Sequence, residues 1–295
     1  MNRLALVGIF GTVFLLGIPR LDAQAVSGSI SGLVTDPSAA AVTNAGVTVE
    51  NTGTGLVTRT VTTSTGFYSV SNLIPGDYSV KIEAPGFKQF TATSVRLSVD
   101  TGVRVDCTLI IGSSAESVTI SAESSLLRTE KADVSAVLPA STLSQLPTLN
   151  RNMSVLVSIL PGAVRGGTAF VGENPSADSN GFVNGLGSGN NYHQLDGIDN
   201  QETIQGVAMV NPAIDSLQEV KITTNTYDAE FGQVAGAVFQ VSTKSGTNAL
   251  HGSLFEYLQN NKFFARNPYT QSTSNVAPWR WNQFGGSLGG PIRKD

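Results

Sequence analysis

The sequence predicts a mainly β fold with some α: a small sandwich of two packed sheets, then an α+β region, then one or two membrane-patterned strands. Three observations lead there. Residues 27–111 are a series of short β-like runs separated by turn residues. The composition is poor in charge, at 14%, and carries 31 glycines with abundant Ser, Thr, Val and Asn, which suits strands and extended loops. From Tyr192 onward, aromatic residues and glycines alternate with short polar stretches as in transmembrane β-hairpins, with enough sequence for only one or two of them.

Residues 1–25 read as an export signal. Arg3 supplies a positive start, residues 4–18 are apolar apart from Gly8, Gly11, Thr12 and Gly17, and Ala23-Gln24-Ala25 offers a small-x-small cleavage site. The run is shorter than the roughly 20 apolar residues that cross a bilayer as a helix. A cleaved signal is therefore expected, with a retained anchor as the alternative. The later sequence holds no transmembrane helix, which leaves β-strands as a means of crossing a membrane. A net charge of −4 gives no reason to expect nucleic acid as a partner.

Seven runs build the expected sandwich: residues 27–35, 46–50, 56–63, 67–71, 78–83, 91–97 and 102–110. Between them, Asn51-Thr52-Gly53, Ser64-Thr65-Gly66, Pro75-Gly76-Asp77 and Pro85-Gly86 are turn signals. Tyr78, Val80 and Ile82 fall on one face by the two-residue period, and Phe67, Tyr68, Leu73 and Tyr78 are expected in the core. Cys107 is the lone cysteine, so no disulfide framework or thiolate metal site is available. It continues the alternation Val103, Val105, Cys107, Leu109, which makes it a core thiol.

Residues 112–125 open with a Gly-Ser-Ser joint, and 116–123 then alternate like a short exposed strand with acidic ends. Such a strand suits capture by an open sheet edge as well as it suits an ordinary linker. A β-run at 134–138, a two-turn helix within 139–147 and a helix over 152–160 follow, then Gly-, Asn- and Ser-rich loops over 162–191. Residues 193–200 form a strand entering a glycine turn. Asp196 and Asp199 there could ligate a metal, but carboxylates in a turn more often accept backbone N–H groups. Ile214 and Leu217 mark a helical turn passing into a strand, residues 227–231 another turn, and 235–241 a strand in which Gly236 allows close approach. Residues 252–257 alternate small or polar with apolar side chains, and Tyr257, Trp281 and Phe284 suit an interfacial girdle or, alternatively, the packing of a small soluble sheet.

The text GSISGLVTDPSAAAVTNAGVTVENTGTG followed by TSTGFYSVSNLIPGDYSVKIEAPGFK resembles the carboxypeptidase regulatory-like domain, a transthyretin-like sandwich with a carbohydrate-binding-like fold. A zinc peptidase is not implied, because His193 and His251 are the only histidines and neither sits in a paired-histidine motif. Further along, ESVTISAE, LPTLNRN with LVSILPGA, LDGIDN, LQEVKITTNTYDAEFGQVAGAVFQVSTKSGTNALHGSLFEY, FFARNP and NQFGGSLGGPI occur in one order. That order resembles the plug domain and first barrel strands of TonB-dependent outer-membrane receptors of the Oar-like type, and the resemblance places the first two barrel strands near 251–258 and 281–288.

The resemblance implies a division into signal (1–25), sandwich (26–111), linker and candidate coupling segment (112–125), plug (126–248) and barrel start (249–295). It implies that Glu116, Ser117, Val118, Thr119, Ile120, Ser121, Ala122 and Glu123 form the segment handed to a TonB-type energy-transducing protein. It also implies that Asp196, Gly197, Asp199, Asn200, Glu219, Val220, Glu230, Gly232, Gly236, Lys244 and Gly246 belong to plug-core motifs. The expected function is the gated, energised uptake of an unidentified substrate at the cell outer membrane, with the sandwich and plug reached from the periplasm. No catalytic group and no cofactor is expected, and contact with lipid would come only through a complete barrel. A barrel filled by a plug takes about 22 strands, so the chain is expected to be the N-terminal portion of a receptor. A secreted or surface sandwich that binds carbohydrate or protein is the alternative.

Overall fold

A computed structural model of the chain describes residues 27–112, 117–121, 133–146, 156, 159–165, 181–204, 206–265 and 280–292. The expected export signal lies outside the described residues.

The N-terminal part is built from β1 (Gly28–Thr35), β2 (Gly46–Asn51), β3 (Val57–Val61), β4 (Phe67–Leu73), β5 (Gly76–Glu83), β6 (Gln89–Leu97), β7 (Gly102–Arg104) and β8 (Cys107–Thr108). One sheet runs β4-β1-β7, with β8 also paired to β1. The other runs β3-β2-β5-β6 and is extended by β9 (Ser117–Ser121). Ile30, Val47, Val49, Val80, Ile82, Val95, Leu97 and Leu109 lie in one buried cluster between them. Each large apolar side chain so buried contributes about 1.5–3 kcal/mol.

Two core tyrosines keep their hydroxyls satisfied, Tyr68 on the Val105 carbonyl at 2.8 Å and Tyr78 on the Ile74 carbonyl at 2.7 Å. Phe67 corrects the expected core: it is 39% exposed while Tyr68 is buried, since neighbours in a strand point to opposite faces. The turn glycines also divide. Gly66 takes a positive φ of 75°, whereas Gly76 is not among the positive-φ residues and begins β5.

The run expected over 102–110 is cut in two. Asp106 turns its carboxylate onto the Leu33 N–H at 2.8 Å and onto Arg104 Nε at 2.9 Å, so a side chain replaces the ladder between β7 and β8. Gly32 makes this crowding feasible, because a Cβ there would stand 2.0 Å from the Val105 carbonyl oxygen. Cys107 is buried, and burial pushes its thiol up to about 12.

The second part comprises β10 (Val134–Pro139), helix α1 (Ala140–Gln145), β11 (Ala163–Arg165), β12 (Gly181–Val183), β13 (Tyr192–Leu195), β14 (Ile198–Asp199), β15 (Leu217–Asn225) and β16 (Val238–Thr243). Its main sheet is mixed, in the order β10-β15-β16-β13-β14, while β11 and β12 pair separately. Leu143 of α1 packs into a cluster with Ile214, Val220, Ile222, Phe239 and Val241. Leu156 and Leu160 join it, and most of the helix expected over 152–160 lies outside the described residues. The strand expected from Ala235 starts at Val238 instead. The N–H groups of Ala235 and Gly236 both turn to the Asn190 carbonyl, at 3.1 and 2.8 Å.

The chain then forms an antiparallel hairpin of β17 (His251–Asn260) and β18 (Arg280–Gly289), paired from His251↔Gly289 to Asn260↔Arg280. Among the described residues, no helix is long and apolar enough to cross a membrane, which says nothing of strands.

Candidate functional site

The candidate coupling segment is a strand. Residues 117–121 of β9 run parallel to β6 with partners Gln89↔Ser117, Phe90↔Val118, Thr91↔Thr119, Ala92↔Ile120 and Thr93↔Ser121. Thr93 Oγ1 adds a bond to the Ile120 carbonyl at 3.4 Å. Ile120, the largest apolar side chain of the strand, is 45% exposed, so the docking rests mainly on backbone pairing. Glu116, Ala122 and Glu123 lie outside the described residues.

The Asp196–Asn200 motif forms the β13–β14 turn, in which Asp196 (φ 48°) and Gly197 (φ 84°) take the left-handed conformation. Asp196 clamps the end of β16: its carboxylate accepts the Thr243 N–H at 2.8 Å and the Thr243 hydroxyl at 2.7 Å. Asp199 accepts the Gln201 N–H at 3.0 Å. Asp199 is thus the local turn acceptor that such short side chains favour, while Asp196 instead binds a neighbouring strand 47 residues on. Asn200 is buried and exchanges two bonds with the backbone of Val210, at 2.8 and 2.9 Å. Lys244 ties the same end of the sheet to the preceding 3₁₀ turn, donating to the Asp215 carbonyl at 2.6 Å. Gly236 lies against Asn191, where a Cβ would come within 2.3 Å of the amide oxygen. Around Gly232 and Gly246 a Cβ would meet nothing within 4 Å, so neither glycine is required by close approach.

Glu219 and Val220 separate to the two faces of β15. Val220 enters the apolar cluster, and Glu219, 2% exposed, accepts the N–H of Val99 from the loop between β6 and β7. Two residues on, and on the same face, stands Lys221, 1% exposed and not anticipated from the sequence. Its ammonium lies 2.8 Å from the Asp100 carbonyl, 3.2 Å from the Asp100 carboxylate and 2.9 Å from the carboxylate of Asp133. The cation therefore joins three parts of the chain: the sandwich loop, the central strand, and the residue immediately before β10. Glu230 is exposed, and its carboxylate converges with those of Asp100 and Asp228 within 4.8 Å.

A second buried titratable group lies in β13. His193 stacks on Phe239 with ring centroids 4.9 Å apart, and its Nε2 has no hydrogen-bond partner among the described residues. Burial pulls its imidazole down to about 4.

The hairpin register sorts the tail residues by face. Leu254 opposes Gly286, Glu256 opposes Phe284, Leu258 opposes Asn282 and Gly252 opposes Leu288, so Leu254, Leu258, Phe284 and Leu288 share one side. All four are well exposed, Leu254 by 92%. The other side carries Ser253, hydrogen-bonded to Ser287 at 2.8 Å, together with Phe255 opposite Gly285, Tyr257 opposite Gln283 and Trp281 opposite Gln259. The expected girdle of Tyr257, Trp281 and Phe284 is therefore split: Phe284 stands on the leucine-bearing side, opposite Glu256, and the other two on the side of Phe255 and Ser253.

Residues 29–110 match the carboxypeptidase regulatory-like domain family, and residues 242–295 match an outer membrane beta barrel domain family. The TonB-dependent transporter Oar of Myxococcus xanthus is 28% identical over 243 residues, covering 80% of this chain and 22% of that protein. The chain thus spans about a fifth of its relative's length. Among solved structures, the siderophore receptor PirA from Acinetobacter baumannii aligns with a TM-score of 0.40 at 21% identity, over 55% of this chain and 22% of that one. PirA from Pseudomonas aeruginosa aligns with a TM-score of 0.36 at 17% identity, over 54% and 26%.

Proposed function

We propose that this chain, a homologue of the N-terminal region of a TonB-dependent outer-membrane transporter of the Oar type, gates energised uptake through that membrane. Its homology is to non-catalytic transporter and regulatory domains, so the reading is of a receptor rather than an enzyme. In this reading residues 26–111 are a transthyretin-like, seven-stranded sandwich, 112–125 the coupling region, 126–248 the plug and 249–295 the start of the barrel. Residues 1–25 direct export, and the sandwich and plug are reached from the periplasm. Closure of the sheet is required because an open edge has no backbone partners in hydrocarbon, and the side of the hairpin bearing Leu254, Leu258, Phe284 and Leu288, with Glu256 among them, is the one assigned to lipid.

The observation that carries the reading is the position and exposure of β9. A short strand held mainly by its backbone lies on the edge of the sandwich and, in sequence, precedes a sheet whose strand β15 is buried on both faces. That is the geometry needed for a handle: accessible to a second protein's sheet edge, and continuous through Asp133 with the body it must move.

The test is direct titration of the chain with the C-terminal domain of the TonB-type protein from the same cell. Saturable binding that disappears in the Val118→Pro/Ile120→Pro variant is expected, since proline removes the backbone donors a strand needs. Equal binding by the variant would assign the contact elsewhere, and no binding by either chain, or by a peptide of residues 112–125, would end the coupling assignment.

A further inference from the structure

The strand read as the coupling handle is not free: it is the edge of the sandwich's larger sheet. We propose that the β6 edge is a holding site for this strand, and that it competes with the TonB-type partner for Ser117–Ser121. The inference rests on the coupling reading above and adds to it a resting state in which the handle is withheld.

Three features of the fold support competition. First, the chain leaves the sandwich beside the start of β6. Phe87 bridges Ile111, Lys88 N–H donates to the Ile110 carbonyl at 2.8 Å, and Gly112 N–H donates to the Gly86 carbonyl at 3.1 Å. Residue 112 is thereby anchored next to Gln89, five residues before β9 begins, and so short a tether keeps the strand at a high effective concentration over its own sheet edge. Second, β6 is nine residues long, and without β9 its outer row of N–H and C=O groups would be an open edge that invites another strand. β9 covers five of its positions, from Gln89 to Thr93.

Third, the pairing is weak enough to exchange. It is parallel and five residues long, with little side-chain burial to support it. Each backbone hydrogen bond contributes about 0.5–1.5 kcal/mol net, while ordering each residue costs about 1–2 kcal/mol. These terms are of one size, so a second sheet edge of ordinary quality can take the strand.

The arrangement also determines where a pull goes first. A force applied to residues 117–121 is borne by β6 and the sandwich for as long as β9 stays paired. While it is paired, the load passes through β6 and the loop that follows it, where Val99 and Asp100 contact Glu219 and Lys221 of β15; once the pairing opens, it passes along the chain to Asp133, beside β10. The sandwich's hold on β9 thus decides by which of two routes a pull enters the second sheet.

A reversible covalent lock tests the idea. Thr91 and Thr119 are direct register partners, and neighbouring strands about 4.8 Å apart lie within the Cα separation a disulfide spans. The Thr91→Cys/Thr119→Cys chain is oxidised with diamide, formation of the bond is verified by mass, and titration with the TonB C-terminal domain is compared before and after reduction. Cys107 can stay, being buried with an unreactive thiol. The reduced variant should bind as the unmodified chain does. The locked form, with its binding-competent state removed, should bind about a hundredfold more weakly or not at all, and reduction should restore it.

Locked chain that binds as tightly as reduced chain would overturn competition while leaving the coupling assignment intact, because the partner would then be adding to the outer edge of β9. Failure of the disulfide to form in folded chain would overturn the β6–β9 pairing itself. Absence of binding by reduced and unmodified chains alike would remove the coupling reading and this inference with it.

Discussion

A lysine buried at the centre of a sheet is stable only while its charge is matched. Lys221 meets that condition through Asp100 and Asp133, so removing the cation takes a counter-charge from two carboxylates. Lys221→Met is expected to destabilise the chain by about 3 kcal/mol in chemical denaturation, and Asp133→Asn added to it should recover part of that loss. His193 acts through its neutral form. Its folded pKa, about 4, lies below the ordinary 6.5, so between those values the unfolded chain binds more protons. The stability at stake is intact above about pH 6.5 and is lost as pH falls towards 4, an effect of about 3 kcal/mol. Denaturant midpoints from pH 7 to 4 should show this slope, and His193→Gln should flatten it. The residue scale is where the sequence was least legible. Asp199 could be read as a turn acceptor because Gln201, two residues on, supplies the donor, whereas the donors to Asp196 come from Thr243, 47 residues away, and leave no local mark. Lys221 sits in EVKITTN, where alternation places it opposite Val220 and Ile222 but carries no sign that another domain's loop would cover that face. Phe67 was misplaced because two adjacent aromatics cannot both point inward from one strand.

At the scale of elements, turn chemistry and two-residue alternation were strong guides: the strands of the sandwich, α1, the 3₁₀ turn before β15 and the tail hairpin all lie close to where the sequence suggested. The departures have local causes. Asp106 splits one run by bonding Leu33, and Asn190 and Asn191 delay β16 by capturing the N–H groups that precede it. Residues 117–121 could be read as an exposed strand, but not as one laid on β6, since pairing between segments some 28 residues apart leaves no mark on either (Gln89 to Ser117). The hairpin register yields a prediction of its own. In the complete receptor, Leu254→Arg should impair assembly into the outer membrane, costing about 2–4 kcal/mol if it sits near the midplane. Ser253→Arg, on the opposite side, should assemble nearly as the parent does. Heat-modifiable migration of the two proteins distinguishes them, and equal impairment would mean the faces have been assigned the wrong way round.

At the scale of the molecule, the sandwich and the second sheet are joined at the buried charged contact of Lys221. The sandwich loop supplies Asp100, β15 supplies Lys221, and the residue before β10 supplies Asp133. In the proposed coupling, a pull that begins on β9 reaches this ion cluster through Asp100 by way of the sandwich and through Asp133 along the chain. Everything in this account depends on β9 being the point of attachment. The most direct test is calorimetric titration of the intact chain with the C-terminal domain of its TonB-type protein, beside the Val118→Pro/Ile120→Pro variant. The account predicts saturable binding by the parent chain and none by the variant. Indistinguishable binding by the two chains would contradict it.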